Sequence, residues 1–192
     1  MLRRIPVIPT IVVMIAIGIM VRLGFWQIDR MQQKEALLAM YASNESDKSV
    51  HRWEDGDLAA IAYTTVAGKC VKVRGISAQA GRNADGDVGW AQVAECDMQG
   101  ISPARVILGW SKQPPTAKWS GGPFSGTYVP PGNKKRLPEI VADPPLAGLA
   151  ANARPDPKDL PNNHWSYAIQ WFLFSVTALV IYGLALRKRL QA

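Results

Sequence analysis

The sequence predicts an α+β membrane protein in which two transmembrane helices bracket a small antiparallel β barrel or sandwich. Apolar segments lie near both ends, at residues 5–25 and 164–186. Each is close to the roughly 20 residues that an α-helix needs to cross a bilayer. Short strand-like runs separated by Gly and Pro fill the region between them. That region is long enough for one hydrophobic core, so we expect a single domain at a membrane surface.

The charge distribution predicts the orientation of the two apolar segments. The chain carries 22 Lys and Arg against 15 Asp and Glu, a net charge of +7. All 15 acidic residues lie between Asp29 and Asp159 together with 16 basic ones, which leaves +1 in the middle and +6 in the flanks. By the positive-inside rule, Arg3 and Arg4 in residues 1–4, and the tail 187–192, are cytoplasmic. The excess charge therefore indicates topology, and we expect no nucleic-acid partner.

The same rule places the central domain outside the cytoplasm. No Ser- and Arg-rich transit peptide precedes the first span, which favours the inner membrane of a bacterium with the domain in the periplasm. The alternative is a cleaved signal peptide. The residues after the apolar run, 22–26, are too bulky for a small-residue cleavage site. We therefore expect an uncleaved, two-span protein in contact with membrane lipid.

The elements between the spans follow from periodicity and turn residues. Apolar positions at helical spacing predict a helical stalk over residues 26–43, and the polar run 44–57 predicts a loop that opens the extracytoplasmic, mainly-β domain of residues 44–163. Ala84–Asp87 has the composition of a hairpin turn. Alternating or β-branched runs predict strands at residues 66–75, 88–95, 105–110, 124–129 and 139–142.

Cys70 and Cys96 are the two cysteines of the chain, and both lie in or beside predicted strands. In an oxidising compartment they could form one disulfide. There is no Cys-x-x-Cys and no Cys/His grouping, so a metal site is not expected. Unpaired, buried cysteines are the simpler interpretation, because strand register decides whether the two Cα atoms come close enough to be bridged.

Motifs of the common enzyme classes do not occur in the sequence. It contains no Gly-x-Ser-x-Gly, no P-loop, no His-Glu-x-x-His and no Gly-x-Gly-x-x-Gly. The acidic residues are scattered, without a pair at a spacing suited to acid–base work. We therefore expect no catalytic residue and no enzyme. A periplasmic enzyme anchored at both ends is the alternative that these absences disfavour.

A histidine stands where the second span begins. Asn162 and Asn163 have a structural explanation, since Asn is a common helix cap. His164 is no better an anchor than the adjacent Trp165, and a neutral imidazole nitrogen can bind a metal. The alternative is a helix-start residue bonded to a backbone carbonyl. Trp26 and Trp165 suit an interfacial aromatic belt, and Arg22 can extend to the lipid headgroups.

The two membrane borders together resemble a known family. Residues 23–34, Leu-Gly-Phe-Trp-Gln-Ile-Asp-Arg-Met-Gln-Gln-Lys, resemble the motif Leu-Gly-x-Trp-Gln-x-x-Arg-x-x-x-Lys that opens the Surfeit locus protein family. Residues 162–172, Asn-Asn-His-Trp-Ser-Tyr-Ala-Ile-Gln-Trp-Phe, are similar to its closing motif, Asn-Asn-His-x-x-Tyr-Ala-x-x-Trp-Phe. The match is specific because both motifs lie at the correct ends of a two-span chain. The members of this family are cytochrome c oxidase assembly factors.

The resemblance implies an assembly factor of the respiratory chain that binds haem a transiently at the outer membrane border. It also implies delivery of haem a to subunit I of the oxidase, in contact with the machinery of haem a synthesis and delivery. His164 carries over from the motif as the axial ligand, and it binds metal through the haem iron only. From depth and chemistry we add propionate partners and porphyrin contacts at Arg22, Arg30, Trp26, Trp165 and Trp171. The alternative is a cofactor-free membrane chaperone that stabilises oxidase subunits during assembly.

Overall fold

The computed structural model describes residues 6–53, 58, 60–99, 103–114, 117–133 and 135–191. The chain forms two compact units. One is a helix pair built from residues up to Leu38 and from Pro161 onwards, and the other is a β domain from Ala39 to Leu160. Residues 1–4 with Arg3 and Arg4, the first residue of the expected first span, part of the expected loop (54–57) and Ala192 lie outside the described residues.

Two long helices begin and end the described chain: α1 is Val7–Asn44 and α2 is His164–Gln191. The first span continues into the predicted helical stalk as one helix. No proline interrupts it after Pro9 in the first turn. The helix ends at Asn44, whose side-chain Nδ2 donates hydrogen bonds of 2.9 Å to the backbone oxygens of Ala60 and Ala62.

Both helices contain stretches long and apolar enough to cross a membrane. Only 6% of each stretch is buried, whereas a core helix of a water-soluble protein would be mostly buried. Large apolar side chains such as Ile15 and Ile181 are more than half exposed. Length, composition and exposure are therefore those of helices that lie in a bilayer.

Within the helix pair, α1 and α2 run in opposite directions. The hydroxyl groups of Thr10 and Tyr182 are hydrogen-bonded to each other, so the beginning of α1 meets the end of α2. Further along, Gly24 is buried against Phe172, and a Cβ atom built on Gly24 would lie 2.7 Å from the Phe172 ring. A glycine therefore permits the close approach of the two helices at this level.

The described residues of the β domain form six strands, and the pairings of five of them close into a ring. The sheet order is β1-β2-β3-β4-β6-β5, and β2 also pairs with β5, so five strands form a ring and β1 lies beside β2. This confirms the predicted α+β class and a barrel- or sandwich-like domain. The strands are β1 (Val50–Arg52), β2 (Thr65–Arg82), β3 (Val88–Met98), β4 (Ala104–Ser111), β5 (Gly122–Val129) and β6 (Glu139–Ala142).

The sheet is mixed, whereas the sequence predicts an antiparallel one. The pairings β1–β2 and β4–β6 are parallel, and the other four are antiparallel. Topology explains the β4–β6 pairing, because a closed ring with an odd number of strands cannot alternate direction at every pairing. A five-stranded ring must contain at least one parallel pair.

The predicted loop over residues 44–57 is wrong at Val50–Arg52, which form β1 and pair with Thr65–Ala67. Three residues are too few for a period-two pattern to show in a polar segment. The strand leads directly to Trp53, which is 1% exposed and packs edge-on against Tyr128 with ring centroids 5.8 Å apart. A short polar strand thereby places a large apolar side chain in the core.

Cys70 and Cys96 form a disulfide, with Cα atoms 5.4 Å apart, so the simpler interpretation of unpaired cysteines is wrong. Cys70 is the residue at which β2 pairs with both β3 and β5, opposite Met98 of β3 and Gly122 of β5. The register of β2 against β3 shifts at two points just beyond it. These shifts are not visible in the alternation of the sequence, although they decide which Cα atoms are close.

The buried phenols of Tyr63 and Tyr128 predict an alkaline loss of stability. Burial raises the pKa of each to about 12 from an ordinary value of 10.0. The unfolded chain loses these protons first as the pH rises, so the stabilisation is complete below about pH 10 and is lost between about pH 10 and 12. We expect the thermal midpoint to fall over this window, and to fall less steeply in Tyr128→Phe. An unchanged slope in the variant would contradict the assignment.

The helix contact at Gly24 predicts a position-specific effect of a larger side chain. Gly24→Val requires the Phe172 ring to move, and such overpacking costs about 1–3 kcal/mol. Gly18→Val is the matched control. Gly18 lies on the same helix, and a Cβ atom built on it would have no neighbouring atom within 4 Å. Thermal unfolding of the detergent-purified protein measures both. Equal midpoints for the two variants would show that the contact does not limit packing.

Candidate functional site

The helix pair contains an open cleft of about 500 Å³. Its volume lies in the range of roughly 300–1,000 Å³ that small-molecule and cofactor pockets occupy. Five of its described lining residues come from α1 and one from the first position of α2. They are Trp26, Arg30, Gln33, Lys34, Leu37 and His164.

Helix periodicity explains why the α1 residues share the cleft. Trp26, Arg30 and Leu37 are linked through Gln33 or Lys34 by steps of three or four residues, which places them along one face of an α-helix. Trp26 and Leu37 contribute apolar surface at the two ends of this stripe, and Arg30 and Lys34 contribute positive charge between them. The stripe is therefore suited to a ligand that has both apolar and anionic parts.

His164 lines the cleft with its ring held by a side chain of the other helix. Its Nδ1 lies 2.7 Å from Oε1 of Gln27, and both side chains are half-buried. An amide oxygen only accepts a hydrogen bond, so this contact favours the imidazole tautomer with the proton on Nδ1 and the lone pair on Nε2. No described residue is hydrogen-bonded to Nε2. This is the arrangement of metal-binding histidines, which donate their other N–H to an acceptor.

Arg30 is held at the side of the cleft by two neighbours on its own helix. Its guanidinium carbon lies 5.7 Å from the centroid of the Trp26 ring, and Nη1 donates a hydrogen bond of 2.9 Å to Oε1 of Gln33. Lys34 follows one turn later. The cleft therefore presents two cations that can form charge-assisted hydrogen bonds with carboxylates.

The structure brings together three of the six residues that the sequence assigns to the cofactor: His164, Trp26 and Arg30. Arg22 and Trp165 are exposed and are not among the described residues that line the cleft. Trp171 does not line it either. Its ring packs edge-on against Phe174, with centroids 6.3 Å apart.

Gln33, Lys34 and Leu37 line the cleft although the sequence does not assign them to the cofactor, and the sequence does not single out Gln27 either. Gln27 belongs to the opening motif, directly after Trp26, but the chain gives no sign that it meets a residue 137 positions away. The contact depends on the packing of α1 against α2. The other expectation for His164, a bond to a backbone carbonyl, is replaced by this side-chain bond.

His164 could hold a metal only if other ligands came with it. Among the described residues, no group of three or more His, Cys, Asp and Glu could hold a metal ion. A bare ion needs several protein ligands, whereas an iron already bound in a macrocycle needs only one or two axial ones. A lone imidazole with a free Nε2 therefore fits a haem better than it fits a bare ion.

The second histidine, His51, belongs to a surface turn of the β domain. Its Nε2 lies 2.9 Å from Ser49 Oγ and 3.0 Å from Asp47 Oδ2. Hydrogen bonds from Ser49 and then His51 lower the pKa of Asp47 to about 2. A Ser-His-acid triad uses both ring nitrogens, one for each partner. Here both partners meet the same nitrogen, so this turn lacks the geometry of a catalytic triad.

The comparison with known families agrees with the layout of the fold and the cleft. The sequence profile of the SURF1 family matches residues 14–80 and 53–176, which include both membrane-border motifs and all six strands. No curated protein matches the chain. The family matches run from the middle of the first apolar stretch into α2, past His164. The chain therefore belongs to the SURF1 family, the family of cytochrome c oxidase assembly factors.

Proposed function

We propose that this assembly factor binds haem a in the cleft of the helix pair and aids its delivery to subunit I of cytochrome c oxidase. The observation that carries the proposal is the hydrogen-bond environment of His164. Gln27 holds its Nδ1, and its Nε2 has no described partner in a cleft of about 500 Å³. Family membership supplies the role in oxidase assembly, and the site chemistry supports the ligand.

The lining residues offer contacts that match an amphipathic macrocycle with two negative charges. His164 would hold the iron of the macrocycle through Nε2, the nitrogen that has no described hydrogen-bond partner. Arg30 and Lys34 pair with the propionates, and Trp26 and Leu37 cover apolar surface. We keep Arg22, Trp165 and Trp171 as proposed contacts outside the described lining of the cleft.

The open cleft with its single histidine also suits release of the proposed ligand. His164 is a single protein ligand in an open cleft, and the Arg30 side chain is exposed. Exposed charge pairs contribute little to binding, because water screens them. An acceptor that binds the ligand more strongly could therefore take it over without unfolding the carrier.

We further propose a bacterial inner-membrane location with the β domain in the periplasm and both termini in the cytoplasm. The basic run Arg187–Arg189 after the second span supports a cytoplasmic C-terminus. The Cys70–Cys96 disulfide supports an oxidising compartment for the β domain, because such bonds are rare where thiols are kept reduced.

Reporter fusions test the topology independently of any ligand. A fusion after residue 130 should be active with a reporter that works only in the periplasm, and silent with one that works only in the cytoplasm. A fusion after residue 191 should give the opposite pattern. Exchange of the two patterns would overturn the periplasmic location of the domain.

Substitution of His164 tests the cofactor role. His164→Ala should lower the haem a content of protein purified from cells that make haem a, or shift its absorption bands. His164→Met should restore binding in part, because a thioether can also be an axial ligand. The matched control is His51→Ala, which removes the other histidine at an exposed turn and should leave haem content unchanged.

The haem content of these variants distinguishes a haem a carrier from a cofactor-free chaperone. Wild-type haem content and spectrum in His164→Ala would show that His164 is a helix-start residue only. Absence of haem a from the wild-type protein would instead favour a cofactor-free chaperone of the oxidase subunits. Protein accumulation in the membrane, measured alongside, should be similar for all variants because the position leaves no core cavity when truncated.

A further inference from the structure

We propose that Gln27 is a positioning residue that sets how strongly His164 holds the ligand. The side-chain oxygen of Gln27 selects the imidazole tautomer with a free Nε2. Because the amide is neutral, it also limits the electron donation of His164 to a level suited to a carrier. This inference rests on the proposed function, and it concerns residues of this chain whose state can be measured without any ligand.

Gln27 is the more firmly held of the two hydrogen-bonded residues, so it sets the position of the His164 imidazole. Gln27 lies within α1, and His164 is the first residue of α2, where the backbone lacks the full set of helical hydrogen bonds. The bond of 2.7 Å therefore joins a firmly held helix position to a helix end. Gln27 is also the neighbour of Trp26, so the acceptor stands beside the cleft.

The chemistry follows from what an amide oxygen can do. A neutral imidazole has one N–H, and its partners decide which nitrogen carries it. Oxygen Oε1 of Gln27 can only accept, so it stabilises the proton on Nδ1 and leaves Nε2 as the ligand atom. Loss of this acceptor would allow the proton to move to Nε2, and that tautomer cannot bind iron through Nε2.

Gln27 is a neutral hydrogen-bond acceptor for His164, and a neutral acceptor polarises the imidazole less than a carboxylate does. Metal-binding histidines are often paired with a carboxylate, which raises the basicity of the ligand nitrogen. An amide gives the same orientation with less donation. The cleft thus combines a correctly oriented ring with a moderate bond to iron, which favours transfer over permanent storage.

The first experiment needs no haem. Nitrogen chemical shifts of ¹⁵N-labelled histidine in the detergent-purified protein should show a protonated Nδ1 and an unprotonated Nε2 for His164. Gln27→Leu should move the shifts toward the other tautomer. Gln32→Leu is the matched control, since Gln32 is an exposed glutamine on the same helix that does not line the cleft. A wild-type His164 protonated on Nε2, or shifts unaffected by Gln27→Leu, would overturn the proposal.

The second experiment measures release of haem a to an excess of an apoprotein acceptor. Gln27→Leu should speed dissociation about tenfold, the lower end of the effect of removing a partner of a metal ligand. Gln27→Glu keeps an acceptor and adds charge, so it should slow dissociation relative to the wild type, with the largest effect on ferric haem. A role confined to holding the helices together would not produce slower release in Gln27→Glu.

The two proposals fail in different ways. If His164→Ala retains haem a as the wild type does, the cofactor role of His164 fails, although the tautomer measurement still stands. If His164→Ala loses haem a while Gln27→Leu and Gln27→Glu release it at the wild-type rate, the cofactor role survives and the role of Gln27 is overturned. Thermal midpoints of the Gln27 variants identify any change that comes from packing alone.

Discussion

The close contact of α1 and α2 at Gly24 and Phe172 is the constraint on which the site depends. Gln27 lies one turn beyond Gly24 on α1, and His164 lies two turns before Phe172 on α2. Ala168, fully buried, occupies the turn between them on α2. Small residues at these levels let the helices approach, since packing and hydrogen bonds, and not a hydrophobic driving force, join helices in lipid. A wider separation would leave the amide of Gln27 short of the imidazole.

Much of the fold is readable from the sequence because it rests on local patterns. Apolar runs of bilayer length, helical spacing and period-two alternation each reflect one segment facing one environment, and these located both helices and five of the six strands. Non-local features were not readable. The short strand Val50–Arg52 is too brief for a pattern, and the disulfide depends on the register shifts in β2 next to Cys70. The parallel β4–β6 pairing follows only after the ring is known to close.

The site shows the same division between local and non-local information. The border motifs and the chemistry of imidazole indicated His164, and membrane depth and side-chain chemistry indicated Trp26 and Arg30, which both line the cleft. Trp165 is adjacent to His164 in sequence, but successive helical residues are turned by about 100°, and its side chain is exposed and does not line the cleft. Trp171 lies about 10 Å further along the helix axis than His164. Gln27 required knowledge of which helix faces which, and no property of a single segment contains that information.

For the proposed role as a haem carrier, the helix pair is better suited than the closed β domain. A five-stranded ring with Val93, Val106 and Ile140 fully buried offers a packed interior to its side chains. The helices instead expose apolar side chains outward along their membrane stretches and carry two cations and an imidazole at one end of the pair. The proposed ligand, with a hydrocarbon tail and two carboxylates, would fit such a boundary without burial of an unpaired charge, which would be costly in either protein or lipid. The contacts it would gain there are individually modest: one axial nitrogen, a neutral second partner and two charge pairs. Such a set of contacts would hold the proposed ligand long enough for transfer but would not store it permanently.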